Sequence, residues 1–206
     1  MKRNLWIILA MAVVAAYLVF NKNIERDPML SEDYLSESPP QANRIAPAIA
    51  GNLSRFHDKA GNYRIDYPSD WTLADHSGDD KMIRADIYKG DSVGFQIRIV
   101  DQGGVSFNSF VEDYIQRFVD DMSSHWDGEM TELSRDFGWT GGYQGCSVRM
   151  LLERGDGQRW FFKEYIWPMV DGSNRVVVLQ SGSIDRDRGG NETTLDAIAE
   201  SFRFNT

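Results

Sequence analysis

Apolar and polar residues alternate along most of the chain beyond residue 53. Tyr63, Ile65 and Tyr67 take turns with Arg64 and Asp66; Ile83, Ala85 and Ile87 with Arg84 and Asp86; Val93, Phe95, Ile97 and Ile99 with Gly94, Gln96 and Arg98. A period of two predicts a half-buried strand at each place. Cys146, Val148, Met150 and Leu152 share one face of a fourth strand; the turn Gly155-Asp156-Gly157 leads into residues 160 to 167, and Asp171-Gly172 turns into residues 175 to 179. Turns this short join antiparallel neighbours, so these last three strands are expected to form a meander. The middle one carries aromatics on both faces, which implies that both faces of the sheet are at least partly covered.

Two segments follow a helical period instead. Phe107, Phe110, Val111, Tyr114, Phe118, Val119 and Met122 recur three and four residues apart between residues 106 and 126, with Glu112, Asp113, Arg117, Asp120 and Asp121 between them. That is one apolar stripe about five turns long, and Ser106 can cap its start. A second helix is expected to begin near Thr194, bury Leu195, Ile198 and Ala199, and run into Phe202-Arg203-Phe204. Helices separated by runs of antiparallel strands imply an α+β sandwich.

The first fifty residues have another texture. After Met1-Lys2-Arg3-Asn4, residues 5 to 20 are uncharged and mainly apolar. They read as a signal-anchor transmembrane helix or a removable signal peptide. Tyr17-Leu18-Val19-Phe20-Asn21 is bulky where a peptidase needs small residues, which favours the anchor. Sixteen residues span roughly 24 Å, which a slightly thinned bilayer with snorkelling Lys2, Arg3 and Lys22 accommodates. Lys2 and Arg3 precede the segment, so the amino terminus is expected in the cytoplasm and the rest in the periplasm or outside the cell. Residues 21 to 50, with Ser36-Glu37-Ser38-Pro39-Pro40, read as a flexible tether, although Met29, Leu30, Tyr34 and Leu35 are more apolar than a spacer requires. Residues 51 to 206 form the domain.

Charge narrows the partners. The chain carries 22 Lys+Arg against 31 Asp+Glu, a net charge of -9, and residues 51 to 206 alone hold 17 against 26. Nucleic acid and anionic membrane surfaces are therefore poor partners, which leaves residues 5 to 20 as the membrane attachment. One cysteine rules out an intrachain disulfide and a multi-thiolate metal site.

Candidate chemistry is sparse. Cys146 shares a strand face with apolar neighbours and reads as a buried, inert thiol, and His57, His76 and His125 lack metal-ligand spacing. Ser181-Gly182-Ser183 is not a nucleophile elbow. Residues 185 to 192 place Asp185, Asp187 and Asn191 at alternating positions, a weak calcium candidate that Arg186 and Arg188 oppose; a solvated loop is the plainer reading. Arg154-Gly155-Asp156 is read as a turn rather than an adhesion tripeptide. No catalytic residue and no cofactor are assigned. The aromatics are the remaining lead: Trp160, Phe161, Tyr165 and Trp167, with Tyr34 and Leu35 of the tether, are candidates for gripping a partner, against core packing as the alternative.

Two stretches carry a resemblance. Phe56-His57-Asp58 followed by Gly61-Asn62-Tyr63-Arg64-Ile65-Asp66-Tyr67-Pro68-Ser69-Asp70-Trp71 resembles the opening of PsbP-like domains, and Leu195-Asp196-Ala197-Ile198-Ala199-Glu200-Ser201-Phe202-Arg203-Phe204 resembles their closing helix and strand. The resemblance covers residues 53 to 206 and implies an α/β/α sandwich around an antiparallel sheet, used mostly as a non-catalytic accessory subunit. No ligand-binding residue of the family matches a position here. The function expected is a membrane-anchored, extracytoplasmic accessory or scaffold subunit that meets an integral membrane protein. A small-ligand or calcium-binding periplasmic module and an envelope enzyme are the alternatives.

Overall fold

Alternation becomes ten strands in a computed structural model, which describes residues 49, 51–77, 82–184 and 188–205. The anchor expected at residues 1 to 20 and most of the tether expected at residues 21 to 50, including Tyr34 and Leu35, lie outside the described residues, as do Asp185 and Asp187. In chain order the strands are β1 Leu53–Asp58, β2 Tyr63–Pro68, β3 Thr72–Asp75, β4 Ile83–Lys89, β5 Val93–Asp101, β6 Gly128–Thr140, β7 Tyr143–Arg154, β8 Arg159–Pro168, β9 Arg175–Ile184 and β10 Arg203–Phe204. Helix α1 spans Phe107–Trp126 and α2 Arg188–Ser201. A seven-stranded antiparallel sheet has the order β3-β4-β5-β9-β8-β7-β6, and a small one the order β1-β2-β10. The expected meander is β7-β8-β9.

The seven-stranded sheet is buried on both faces. On one, Cys146, Val148, Met150 and Leu152 of β7 and Phe162 and Ile166 of β8 pack with Phe110, Val111, Tyr114, Ile115, Phe118 and Met122 of α1. On the other, Phe95, Ile97, Tyr165 and Trp167 meet Phe56, Tyr63 and Ile65 of the small sheet and Leu195, Ile198 and Ala199 of α2. The architecture is α+β, but the layer opposite α1 is a three-stranded sheet with α2 beside it rather than helix alone. At the start of α1, Ser106 Oγ accepts from Ser109 N at 3.2 Å. Helix α2 begins at Arg188, one and a half turns before Thr194 and inside the expected loop. The pair Gly189-Gly190 argues for a loop by propensity, yet Thr194 Oγ1 already donates to the Gly190 carbonyl one turn back.

Asp58 ties the two sheets. A bulge in β4 at Arg84 lets its guanidinium reach Asp58, with Nε to Oδ2 at 2.7 Å and Nη2 to Oδ1 at 3.1 Å, both residues buried. Asp58 Oδ1 also accepts from the amides of Ala60 and Gly61 in the β1–β2 turn. Burial raises the Asp58 carboxyl, but Arg84 and the Gly61 amide outweigh it and hold the group below its ordinary range. A Cβ on Gly61 would lie 2.5 Å from Tyr63 Cε1 and 2.8 Å from Asp58 Oδ2. The Asp58…Gly61-Asn62-Tyr63 motif is therefore a packed turn.

Candidate functional site

Strand β8 places its aromatics in the interior. Phe161, Tyr165 and Trp167 are 1%, 3% and 1% exposed. Trp167 stacks on Phe202 at 4.5 Å and donates through its indole nitrogen to the Thr140 carbonyl at 3.2 Å. Tyr165 donates its hydroxyl hydrogen bond to Asp196 of α2, which Lys163 Nζ also meets at 2.8 Å. The Arg149 guanidinium lies 5.5 Å from the Phe161 ring centre. Trp160 alone of the four is half-buried; it stacks with Trp126 at 6.5 Å, over which Arg154 lies at 4.7 Å. Both indole nitrogens are buried without a hydrogen-bond partner among the described residues.

Two of the four exposed large apolar side chains among the described residues lie instead on one strand, β6. This strand of 13 residues is the outer strand of the large sheet, paired with β7 on one side only among the described residues. An edge leaves a row of N–H and C=O groups unpaired, ready to add another strand. Leu133 and Phe137 are 47% and 46% exposed, and Phe137 meets Phe107 of α1 edge to face at 6.3 Å. Arg135 is neutralised by Glu132 at 2.7 Å and Glu112 at 2.5 Å, while Glu129 and Asp136 stand exposed. The edge is thus apolar and acidic.

Sequence reasoning missed this strand because a bulge at Leu133 reverses its phase. Met130 faces α1 before the bulge, whereas Phe137, opposite Cys146, faces it after. The alternation Phe137-Gly138-Trp139 into the turn Gly141-Gly142 was the available signal.

A second unforeseen feature is a polar row inside the sheet. Asp86, Gln96, Gln180 and Glu164 stand opposite one another on β4, β5, β9 and β8, all buried, on the α1 face. Gln96 Nε2 donates to Asp86 Oδ1 at 2.6 Å, and His76 Nε2 lies 3.1 Å from Asp86 Oδ2. Arg98 Nε donates to Gln96 Oε1, and its Nη1 lies 3.4 Å from the Tyr114 hydroxyl. Among the described residues both oxygens of Glu164 and Oε1 of Gln180 have no hydrogen-bond partner. Burial pushes the Glu164 carboxyl up to about 8, against the pull of Arg98.

The remaining candidates are not gathered into a reactive group. Cys146 is buried, and burial pushes its thiol up to about 12. His57 meets the Asn205 amide at 2.9 Å, and the His125 ring contacts Trp126. Asn191 lies in the first turn of α2, half-buried. Among the described residues no three His, Cys, Asp or Glu side chains are placed to hold a metal, and no helix is long and apolar enough to cross a membrane.

No family model matches the chain, and no curated protein matches its sequence. Solved structures do. The cyanobacterial PsbP (CyanoP) from Synechocystis sp. PCC 6803 superposes with a TM-score of 0.55 at 12% identity, covering 86% of this chain and 99% of that one. The domain has the PsbP-like fold. A mutant form of protein Mog1 matches the domain with a TM-score of 0.50 at 10% identity, covering 76% of this chain and 98% of its own. LpqN of Mycobacterium tuberculosis, involved in cell envelope biogenesis, gives 0.48 at 14% identity over 76% and 93%. At these identities the likeness is one of fold.

Proposed function

We propose that the chain is a non-catalytic accessory module, held on the outer side of a membrane by residues 5 to 20, whose edge strand β6 receives an extended, basic and apolar segment of an integral membrane protein. The observation that carries this reading is the exposed pair Leu133 and Phe137 on an unpaired, acidic strand edge. Strand addition supplies main-chain hydrogen bonds, the two apolar side chains supply anchors, and Glu129 and Asp136 select a basic partner. A tether raises the effective concentration for a membrane partner, so a modest interface suffices.

The test is photocrosslinking in native membranes from the full chain, with the probe placed in turn at Leu133, Phe137 and Val170, the last being an exposed loop residue far from β6 in sequence. A single membrane partner crosslinked from the two β6 positions and not from Val170, and released by Phe137→Asp, is the result expected. Equal labelling from all three positions, or stoichiometric purification of the chain alone, overturns the proposal. Retention of the chain in membranes through an alkaline wash, lost on removing residues 1 to 20, tests the anchor separately.

A further inference from the structure

The polar row leaves three buried acceptors unpaired at one place among the described residues. Glu164 and Gln180 are directly paired across β8 and β9, which sets their Cβ atoms about 5 Å apart on one face. Glu164 is fully buried and Gln180 nearly so, and Glu164 Oε1, Glu164 Oε2 and Gln180 Oε1 all lack partners. Two unpaired acceptors on facing residues repel, and a buried carboxylate without a donor carries an uncompensated desolvation cost. Among the described residues, charged and titratable groups face them from each packed element, and the Arg98 charge pulls the Glu164 carboxyl down against its burial. Asp86 of β4 is held by Gln96 and His76; Arg98 of β5 is turned to Gln96 and Tyr114; α1 brings Tyr114 and Arg117, and β7 brings Cys146.

We propose that the folded protein carries Glu164 as the neutral carboxylic acid, that its O–H donates to Oε1 of Gln180, and that this single proton is a latch holding the sheet's polar row closed. Removing the proton leaves a carboxylate facing an acceptor in the interior. The row must then open to water, and α1, which reaches it through Tyr114, is the layer that loosens. The latch is independent of the β6 edge and stands whether or not that edge binds a partner.

The experiment uses the full chain in detergent micelles. Infrared difference spectra between wild type and Glu164→Gln are expected to show the C=O stretch of a protonated acid that persists well above the ordinary glutamate value of 4.5 and disappears near 8. Hydrogen exchange of peptides from α1, β8 and β9, corrected for intrinsic rates, is expected to show opening that rises roughly tenfold per pH unit across that window, as a one-proton linkage requires. Glu164→Gln, which keeps the shape and donates to Gln180 without titrating, is expected to abolish that rise. A carboxylate band throughout the window, as a Gln180 amide turned to donate through Nε2 would give, overturns the proposal. So does an exchange profile of wild type that does not change across the window, a result that needs no variant to fold.

Discussion

Gly61 shows how one residue's size can be set by its neighbours. Its backbone is ordinary, so the constraint is volume: an added methyl would meet the fully buried Tyr63 ring and an Asp58 carboxylate pinned by four hydrogen bonds. Gly61→Ala is expected to cost about 1–3 kcal/mol, read as a lowered urea midpoint at unchanged slope. Arg84→Met should cost more, about 3–5 kcal/mol, because it strands the Asp58 charge in the interior. The pair also sets the acid limit of stability. A carboxyl whose native pKa is depressed contributes stability that is present above its ordinary value of 3.8 and is lost as pH falls through the native value. Urea midpoints measured downward from 3.8 should therefore fall in wild type and stay nearly level in Asp58→Asn. An equal fall in both would mean that other carboxylates set the limit.

At the scale of elements, β6 carries an opposition between pairing and protection. A long edge with exposed Leu133 and Phe137 invites another strand, while the bulge and its charges discourage a second copy of the chain. The bulge can be removed cleanly, because Glu132 and Ser134 already pair with the adjacent residues Met150 and Arg149 of β7. Deleting Leu133 leaves every other pair of the β6–β7 ladder in register. The deletion variant is expected to keep the fold within about 1 kcal/mol and to self-associate as protein concentration rises in sedimentation velocity. A variant that stays monomeric would show that the bulge does not guard the edge. The same bulge explains what the sequence concealed. Strands with an unbroken period of two, such as Tyr63-Ile65-Tyr67, were legible, and so was α1, whose stripe of Phe110, Tyr114 and Phe118 never changes phase. A strand that reverses its phase midway loses its periodic signal.

For the whole molecule, the large sheet is a wall shared by two apolar clusters, and β8 belongs to both: Phe162 and Ile166 on the α1 side, Tyr165 and Trp167 on the other. Aromatics on both faces of one strand announced that sharing in the sequence. Its polar counterpart was hidden, because Asp86, Gln96, Arg98 and Glu164 sit where the solvent side of a half-buried strand would be, and only a layer packed over them makes them interior. Neither cluster can come apart while β8 stays in place, so unfolding should be a single transition. Trp71 and Trp167 report on one side, Trp126 and Trp160 on the other. Urea curves from variants keeping only one pair should coincide with far-ultraviolet dichroism, and separated midpoints would refute a common unit. The two buried carboxyls then act on this one transition from opposite directions. Asp58 contributes least below 3.8, and Glu164, whose native pKa is raised, contributes stability that is full below 4.5 and lost as pH rises to about 8, on the order of 5 kcal/mol in all. Repulsion within a chain of net charge -9 adds to the same decline, but salt screens it, whereas a buried carboxyl is indifferent to salt. Wild type should therefore be most stable near pH 4–5, on the acid side of the usual optimum, and should weaken toward neutrality even at high ionic strength. A salt-independent fall that vanishes in Glu164→Gln assigns it to that one proton, whereas a fall that high salt removes assigns it to the surface.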